Sequence, residues 1–142
     1  MAFAIAAFHP SDQVRMAQAR HIRQVVFCDE QGVAAHEEWD GKDDHCEHFL
    51  VTEAGVAIGT ARVRPYGPGI FKVERVAVLK DKRGTGAGRL IMREIMARLR
   101  EHTVVLNAQT AVEAFYNRLG FVSEGEVFVE AGIPHIHMIW RP

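Results

Sequence analysis

The stretch VAVLKDKRGTGAGRLIM, residues 76–92, runs from β-branched residues through three glycines into a helical pattern. A glycine turn between a strand and a helix gathers backbone N–H groups and a helix N-terminus around one point, and that arrangement binds phosphate. Positive charge surrounds the turn, from Lys80, Lys82, Arg83 and Arg89. The stretch therefore predicts an anion site, with an ordinary surface turn carrying solvated charges as the alternative.

The two commonest nucleotide motifs fail to match this turn. No glycine is followed by Lys and then Ser or Thr, as a P-loop requires. The dinucleotide pattern G-x-G-x-x-G lacks its third glycine whether the count starts at Gly84 or at Gly86. The pattern that fits is R-x-x-G-x-G over residues 83–88, where the missing Cβ atoms let successive N–H groups approach one anion.

The bulk properties of the chain limit its size class and its partners. Its 142 residues, 48% of them hydrophobic, predict one domain over residues 1–142. The chain has 17 Lys and Arg and 18 Asp and Glu, which gives a net charge of −1. It therefore has no positive field of the kind that attracts nucleic acid. The apolar start MAFAIAAFHP lacks a basic region and meets Pro10 too early to cross a membrane or direct secretion. With two cysteines and no C-x-x-C pair, we expect a cytoplasmic protein without a membrane partner.

Hydrophobic periodicity and turn residues predict the order of the secondary structure. The order describes a mixed α/β domain built on one central sheet. The expected elements are a strand at 2–8, a helix from Ser11 or Asp12 to about Phe27, a polar loop with one short helix at 29–45, a hairpin around an Ala-Gly turn at 47–65, a strand at 70–79, a helix at 88–100, a strand at 103–108, a further helix, and two final strands around a Gly-Ile-Pro turn.

The helix after the strand TVVLNA carries signals at both of its ends. Thr110 and Glu113 fit the S/T-x-x-E capping box at its start. Gly120 stands where a left-handed residue ends a helix. The register of the side chains between these two signals is therefore predicted along with the helix.

Several motifs together resemble the GNAT superfamily of CoA-dependent N-acetyltransferases. They are R-x-x-G-x-G after Val-Ala-Val, followed by LNAQTAVEAFYNRLGF at 106–121. IRQVVFCDEQ at 22–31 and GIPHIHM at 132–138 are closest to the ElaA/YjcF-like branch. The resemblance covers most of the chain. It implies an α/β (α+β) fold with a mixed, mainly antiparallel central sheet of six or seven strands, flanked by helices and splayed between the fourth and fifth strands.

The resemblance also implies that the glycine loop binds the pyrophosphate of acetyl-CoA, and that no metal takes part. The backbone of residues 76–78 would lie along the pantetheine arm, and Asn107 would bond the pantetheine amides. An N–H group near Val78 would hold the thioester oxygen as its negative charge grows. The cofactor-binding residues predicted in this way are Val76, Ala77, Val78, Arg83, Gly84, Thr85, Gly86, Ala87, Gly88, Arg89, Asn107, Phe115 and Arg118.

The same resemblance places a catalytic acid at Tyr116, where the family carries a tyrosine that protonates the CoA thiolate. The alternative is that Tyr116 is an ordinary core residue of its helix. Glu74 is a candidate base, because it lies two residues before Val76 and alternation puts both on one face of a strand. The alternative for Glu74 is a structural ion pair with Arg62, Arg64 or Arg75.

The acceptor amine, a small molecule or a peptide, is not identified by any motif. The acidic stretch HEEWDGKDD at 36–44 can attract a cationic amine or simply be solvated, and His135 and His137 line or flank the cleft. The cluster of His45, Cys46 and His48 alternates between strand faces, which argues against a metal site. Other functions left open are a non-catalytic acyl-CoA-binding module and an acyl-homoserine-lactone-synthase-like acyltransferase. A homodimer through the final strands is also open.

Overall fold

A single seven-stranded sheet runs through the computed structural model, which describes residues 2–142. The strand order is β1-β2-β3-β4-β5-β7-β6. Every neighbouring pair is antiparallel except β4 and β5, which are parallel. The mixed, mainly antiparallel sheet is therefore confirmed. The strands are β1 Phe3–Phe8, β2 Glu47–Glu53, β3 Val56–Pro65, β4 Ile70–Val78, β5 Thr103–Gln109, β6 Val122–Glu130 and β7 Ile133–Trp140.

Four α-helices flank the sheet, and none within residues 2–142 is long and apolar enough to span a bilayer. As predicted, Asp12 caps the first helix by accepting a hydrogen bond from the Arg15 N–H. This helix does not remain α-helical to Phe27, because after Arg23 it continues as a π-helical segment, Gln24–Glu30. The helices are α1 Gln13–Arg23, α2 Ala35–Glu38, α3 Ala87–Arg98 and α4 Glu113–Arg118.

The core has two parts, one on each face of the sheet, because successive strand residues point to opposite faces. Phe49 packs with Ile91 and Ile95 of α3 on one face. Its neighbour Leu50 packs with Ile22 of α1 on the other. The apolar stripes of both helices are thus the surfaces that cover the sheet.

The parallel strands β4 and β5 pair over only three residues each. Ile70–Lys72 faces Thr103–Val105, and no pairing follows toward the carboxyl ends of the two strands. The strands therefore part, as the resemblance predicted, and leave a gap between residues 74–78 of β4 and 106–109 of β5. We call this gap the wedge.

Turn chemistry explains two of the three hairpins, β2–β3 and β6–β7. The first turns at Ala54 and Gly55, which have φ of 51° and 79°, and two successive positive φ values characterise a type I′ turn. The second turns at Ala131 and Gly132 in the same way. The predicted Gly-Ile-Pro turn is wrong, because the turn residues are Ala131 and Gly132, and Ile133 and Pro134 already belong to β7.

The capping box predicted for α4 is wrong, whereas its C-terminal signal is confirmed. Thr110 lies in a 3₁₀ turn and makes no capping bond, and the Glu113 carboxylate accepts a hydrogen bond from the Ser123 hydroxyl instead. At the other end the N–H of Gly120, with φ of 98°, bonds to the carbonyl oxygen of Asn117. The next N–H, of Phe121, bonds to Tyr116, which completes a Schellman motif.

Candidate active site

The glycine loop follows β4 after the short 3₁₀ turn Lys80–Lys82 and leads directly into α3. Gly84 and Gly86 have φ of 77° and 95°, a region that residues with a Cβ rarely adopt. A Cβ at either position would meet no atom within 4 Å, so backbone conformation rather than space requires glycine there. The Thr85 hydroxyl donates a hydrogen bond to the Lys82 carbonyl oxygen and closes the loop.

The N-terminus of α3 has free hydrogen-bond donors. Gly86 caps the helix without any side-chain bond, and the first helical bond joins the Leu90 N–H to the Gly86 carbonyl oxygen at 2.9 Å. Within residues 2–142, no hydrogen bond uses the N–H groups of Ala87, Gly88 or Arg89. With the helix dipole behind them, these three groups are placed where an anion can accept their hydrogen bonds.

The cations around the loop differ in their availability. Lys82 pairs with Glu53 at 2.6 Å. Arg83 directs both terminal nitrogens to Glu30, at 2.6 and 2.8 Å, and its Nε to the Val78 carbonyl oxygen. Lys80, Arg89 and Arg118 are exposed and have no ion pair within residues 2–142. The charge available to a phosphate therefore comes from these three side chains, whereas the Arg83 side chain is already engaged.

The end of β4, the start of α3 and helix α4 meet beside the wedge. A Cβ at Gly88 would lie 3.7 Å from the Phe115 ring and 3.7 Å from Val78 Cγ2. Val76 and Val78 both pack toward the α3 side of the sheet, whereas Ala77 packs against α1. The fold thus brings together the predicted loop, the predicted strand and Phe115.

Tyr116 lies on the inner face of α4, with its ring edge-on to Phe115 and Phe121. Its side chain is buried, and burial raises the pKa of its phenol. The hydroxyl makes no hydrogen bond within residues 2–142. Its oxygen is not fully enclosed by the protein, so a ligand can reach it. The group is therefore a neutral donor that is free to serve a ligand.

Asn107 lies in β5 on the wedge side opposite β4, and its partner is a residue of the final strand. His137 faces it across the β5–β7 pair, with Nδ1 3.0 Å from the Asn107 Oδ1. His135 stacks on Phe128 instead, and its Nδ1 lies 2.6 Å from the Ile133 carbonyl oxygen. Of the two histidines, His137 is therefore the one linked to a predicted cofactor residue.

Glu74 does not share a face with Val76, so that step of the sequence argument is wrong. Arg62 faces Glu74 and Thr60 faces Ala77 across β3 and β4, which leaves two β4 residues opposite one β3 residue. The extra residue is Arg75, with φ of 56°, and such a β-bulge reverses the alternation. Val76 therefore packs toward α3, whereas Glu74 points to the α1 side.

On the α1 side Glu74 belongs to a buried ion cluster, which we define as Arg23, Glu38, Asp40, Asp43, Arg62 and Glu74. Arg62 is completely buried at its centre. Its guanidinium lies 2.6 Å from Asp40, 2.9 Å from Asp43 and 2.7 Å from Glu74. Arg64 and Lys72 also approach Glu74, at 3.0 and 3.5 Å.

The acidic loop is therefore anchored inside the protein and is not a free cation trap. Arg23 bonds Glu38 and Asp43 at 2.8 Å each, beneath the ring of Trp39. Only Glu37 and Asp44 of the acidic residues in this loop remain exposed. The bonds that Arg23 and Arg62 make to this loop join residues 15 to 22 positions apart in the chain, so no local pattern signalled them.

The pKa shifts in the buried ion cluster follow from these contacts. Burial opposes ionisation, but Arg62 and its neighbours hold the pKa of Glu74 and of Asp40 below their usual ranges. The same balance with Arg23 lowers the pKa of Asp43. Among the four carboxylates of the cluster only Glu38 has a raised pKa, because its desolvation exceeds its stabilisation by Arg75 and Arg23. Glu74 with a lowered pKa is a weak proton acceptor.

Within residues 2–142, no group of three His, Cys, Asp or Glu side chains has a geometry that could hold a metal ion. His48 is buried against the Asp43 carbonyl oxygen, and burial lowers its pKa. The neighbouring Cys46 thiol donates to the Lys42 carbonyl oxygen. These side chains therefore serve local structure.

Comparisons with known proteins identify an acetyltransferase family. The family model of the acetyltransferase (GNAT) domain matches residues 17–142. The uncharacterized N-acetyltransferase YjcF of Bacillus subtilis is 35% identical over 133 residues, which cover 90% of this chain and 94% of YjcF. Two solved structures align with 99% of this chain over 100% of their own chains. Escherichia coli ElaA has a TM-score of 0.87 at 26% sequence identity. An acyl-CoA N-acyltransferase from Pseudomonas aeruginosa has a TM-score of 0.85 at 27% sequence identity.

Replacing Gly86 by Ala tests the loop. Because φ at Gly86 is 95°, we expect about 1 kcal/mol of destabilisation from the added Cβ and weaker binding of acetyl-CoA. Gly132→Ala, at φ of 75° in the β6–β7 turn, is the matched control and should lose stability alone. Calorimetric titration and urea unfolding measure the two effects, and equal binding by both variants would contradict the site.

Acid titration tests the buried ion cluster. Asp40, Asp43 and Glu74 have lowered pKa values, so their stabilisation is present above about pH 5 and is lost as the pH falls through their folded-state pKa. Glu38, with a raised pKa, acts in the opposite sense. We expect a lower urea midpoint at pH 4 than at pH 7, and a smaller drop in Asp43→Asn. Equal drops in both proteins would exclude this role for Asp43.

Proposed function

The chain belongs to the GNAT family of acetyltransferases, and on that premise we propose that it moves the acetyl group of acetyl-CoA directly to a primary amine. The observation that carries the proposal is the set of unpaired N–H groups of residues 87–89 at the mouth of the wedge. A pyrophosphate is the doubly anionic group that such a helix start binds well. The name of the similar Pseudomonas protein, an acyl-CoA N-acyltransferase, supports the same donor.

The wedge gives the rest of acetyl-CoA a place. Beyond Lys72, the edge of β4 that faces β5 has no strand partner, so its backbone groups are available to the pantetheine amides. We assign the arm to residues 76–78 on one side and to Asn107 on the other. Phe115 borders the same space beside Gly88. A backbone N–H near Val78 then holds the thioester oxygen.

The reaction needs one acid and one free amine. The amine nitrogen attacks the thioester carbon, and the carbonyl oxygen becomes negative. As the carbon–sulfur bond breaks, the departing thiolate takes the proton of the Tyr116 hydroxyl, which regains one from water. Burial keeps this phenol protonated at ordinary pH, so the donor is always available.

The proton of the attacking amine goes to water rather than to Glu74. Glu74 lies on the face opposite Val76 and contacts Arg62, Arg64 and Lys72. These cations stabilise its carboxylate and weaken it as a base. These contacts therefore favour a structural role for Glu74, as an ion-pair partner, over the role of a catalytic base.

An amine screen tests the function and identifies the acceptor. The protein is incubated with acetyl-CoA and with polyamines, aminosugars, aminoglycosides, peptides with free N-termini and lysine peptides, and mass spectrometry detects acetylated products. Transfer to one class supports the proposal. Saturable binding of acetyl-CoA without transfer to any class would instead indicate an acyl-CoA-binding module.

Tyr116→Phe tests the acid. We expect kcat to fall at least about tenfold, since general acid catalysis commonly contributes more than this, while the Kd for acetyl-CoA stays within about twofold because no bound group is lost. Tyr66→Phe is the matched control, because Tyr66 is the other tyrosine and is exposed. Unchanged turnover in Tyr116→Phe would remove the assignment.

We also propose that the protein is a cytoplasmic homodimer. Its two cysteines are free thiols, as is usual in a reducing compartment. The edge strand β6 exposes Val122, Val127 and Val129 at 63%, 57% and 71%, and the net charge of −1 gives copies little mutual repulsion.

Light scattering after gel filtration tests the dimer. We expect Val129→Lys to be monomeric, because a lysine on each copy would face an apolar partner surface. Val14→Lys is the matched control, since Val14 is equally exposed on α1. A monomeric wild-type protein would contradict the proposal.

A further inference from the structure

Arg83 is held by a residue that no motif of the loop predicts. The Glu30 carboxylate accepts two hydrogen bonds from its guanidinium, at 2.6 and 2.8 Å. The Arg83 Nε donates to the Val78 carbonyl oxygen at 3.0 Å. The three hydrogen bonds of the Arg83 guanidinium link the start of the glycine loop to the end of β4 and to the end of the π-helical segment.

The hydrogen bond from Arg83 to Val78 constrains the chain that leads into the glycine loop, because it joins two residues five positions apart. Val78 and Arg83 flank residues 79–82, so a side-chain bond between them fixes the segment that leads from β4 into the glycine loop. Arg83 alone can rotate away from Val78. The bidentate pair with Glu30 fixes the plane of the guanidinium and therefore the direction of Nε.

The π-helical segment is itself held from the other side of the wedge. The side-chain amides of Gln31 and Gln109 exchange two hydrogen bonds, at 2.9 and 3.3 Å. Gln109 ends β5, whereas Arg83 follows β4. Glu30 therefore bonds to Arg83 after β4, and its neighbour Gln31 bonds to Gln109 at the end of β5. The bonds of Gln31 hold the backbone of Glu30 in place.

We propose that Glu30 is a positioning residue for the pyrophosphate site: it holds Arg83 against Val78 and thereby keeps the glycine loop in its anion-binding conformation. This inference rests on the proposed function. It assigns to Arg83 the role of a strut, where the sequence predicted a phosphate ligand. The low pKa that Arg83 imposes on Glu30 keeps the pair ionised at neutral pH.

The opposite role predicts an opposite result. If Arg83 binds the pyrophosphate directly, the Glu30 carboxylate competes with the ligand for its guanidinium. Removal of Glu30 then frees Arg83 and tightens binding. If Glu30 positions the loop, its removal weakens binding. The direction of the change in affinity therefore decides between the two.

Calorimetric titration with acetyl-CoA makes this measurement without any acceptor. We expect Glu30→Ala to raise the Kd about fivefold, the factor that corresponds to about 1 kcal/mol for a partly exposed ion pair. Glu30→Gln retains one acceptor for Arg83 and should fall between. Arg83→Ala should resemble Glu30→Ala, and the double variant should be no worse than either, because Glu30 acts through Arg83.

Two controls separate positioning from general support of the fold. Glu94→Ala removes the Glu94–Arg98 ion pair, which joins at 2.9 Å at the far end of α3, and should leave the Kd unchanged. S-acetylpantetheine has the arm but no pyrophosphate, so wild type and Glu30→Ala should bind it equally. Equal weakening for both ligands would show a general structural role and overturn the inference.

The outcomes also distinguish this inference from the proposed function. A wild-type protein that does not bind acetyl-CoA would overturn both. A wild-type protein that binds acetyl-CoA, together with a Glu30→Ala variant that binds it equally or more tightly, would overturn only the role of Glu30.

Discussion

The separation of β4 from β5 after three residue pairs is the constraint on which the site depends. A parallel pair needs a crossover, and here the crossover is the glycine loop and α3. The loop starts where β4 ends, so the first N–H groups of α3 and the unpaired edge of β4 lie at the same end of the sheet. Ligands of open sheets commonly bind at the carboxyl ends of their strands. The separation of the two strands thus exposes hydrogen-bond donors at the start of α3, which an anion can use. It also leaves an unpaired edge of β4, along which an extended ligand can lie.

The buried ion cluster has a different part in the architecture. Burial of Arg23 and Arg62 is costly unless every charge is paired, and removal of one partner leaves an uncompensated charge in the interior. Because the partners come from α1, the acidic loop and the two central strands, the cluster ties the loop to the sheet. The stretch that looked suited to attract an amine is largely occupied by internal contacts.

Residues that act through local geometry were predictable. Gly86 and Gly120 need positive φ values, Asp12 needs only the next turn of its helix, and the apolar periods of α1 and α3 follow from their own sequences. Residues whose roles depend on distant partners were not. The bulge at Arg75 left no signal in the alternation of β4 and inverted the face assigned to Glu74. The engagement of Arg83 by Glu30, 53 positions away, is likewise invisible in R-x-x-G-x-G.

By itself, the sequence determined the family, the order of the elements, the mainly antiparallel sheet and the glycine loop, since each depends on short-range patterns or on a shared motif. Only the tertiary structure decided which charges remain available. Within residues 2–142 it left Lys80, Arg89 and Arg118 without an ion pair, turned Arg83 toward Glu30, and enclosed Glu74 among cations. The reason is physical: a charged side chain has the same identity in every environment, whereas its partner, its burial and its pKa are set by chain segments that folding brings together.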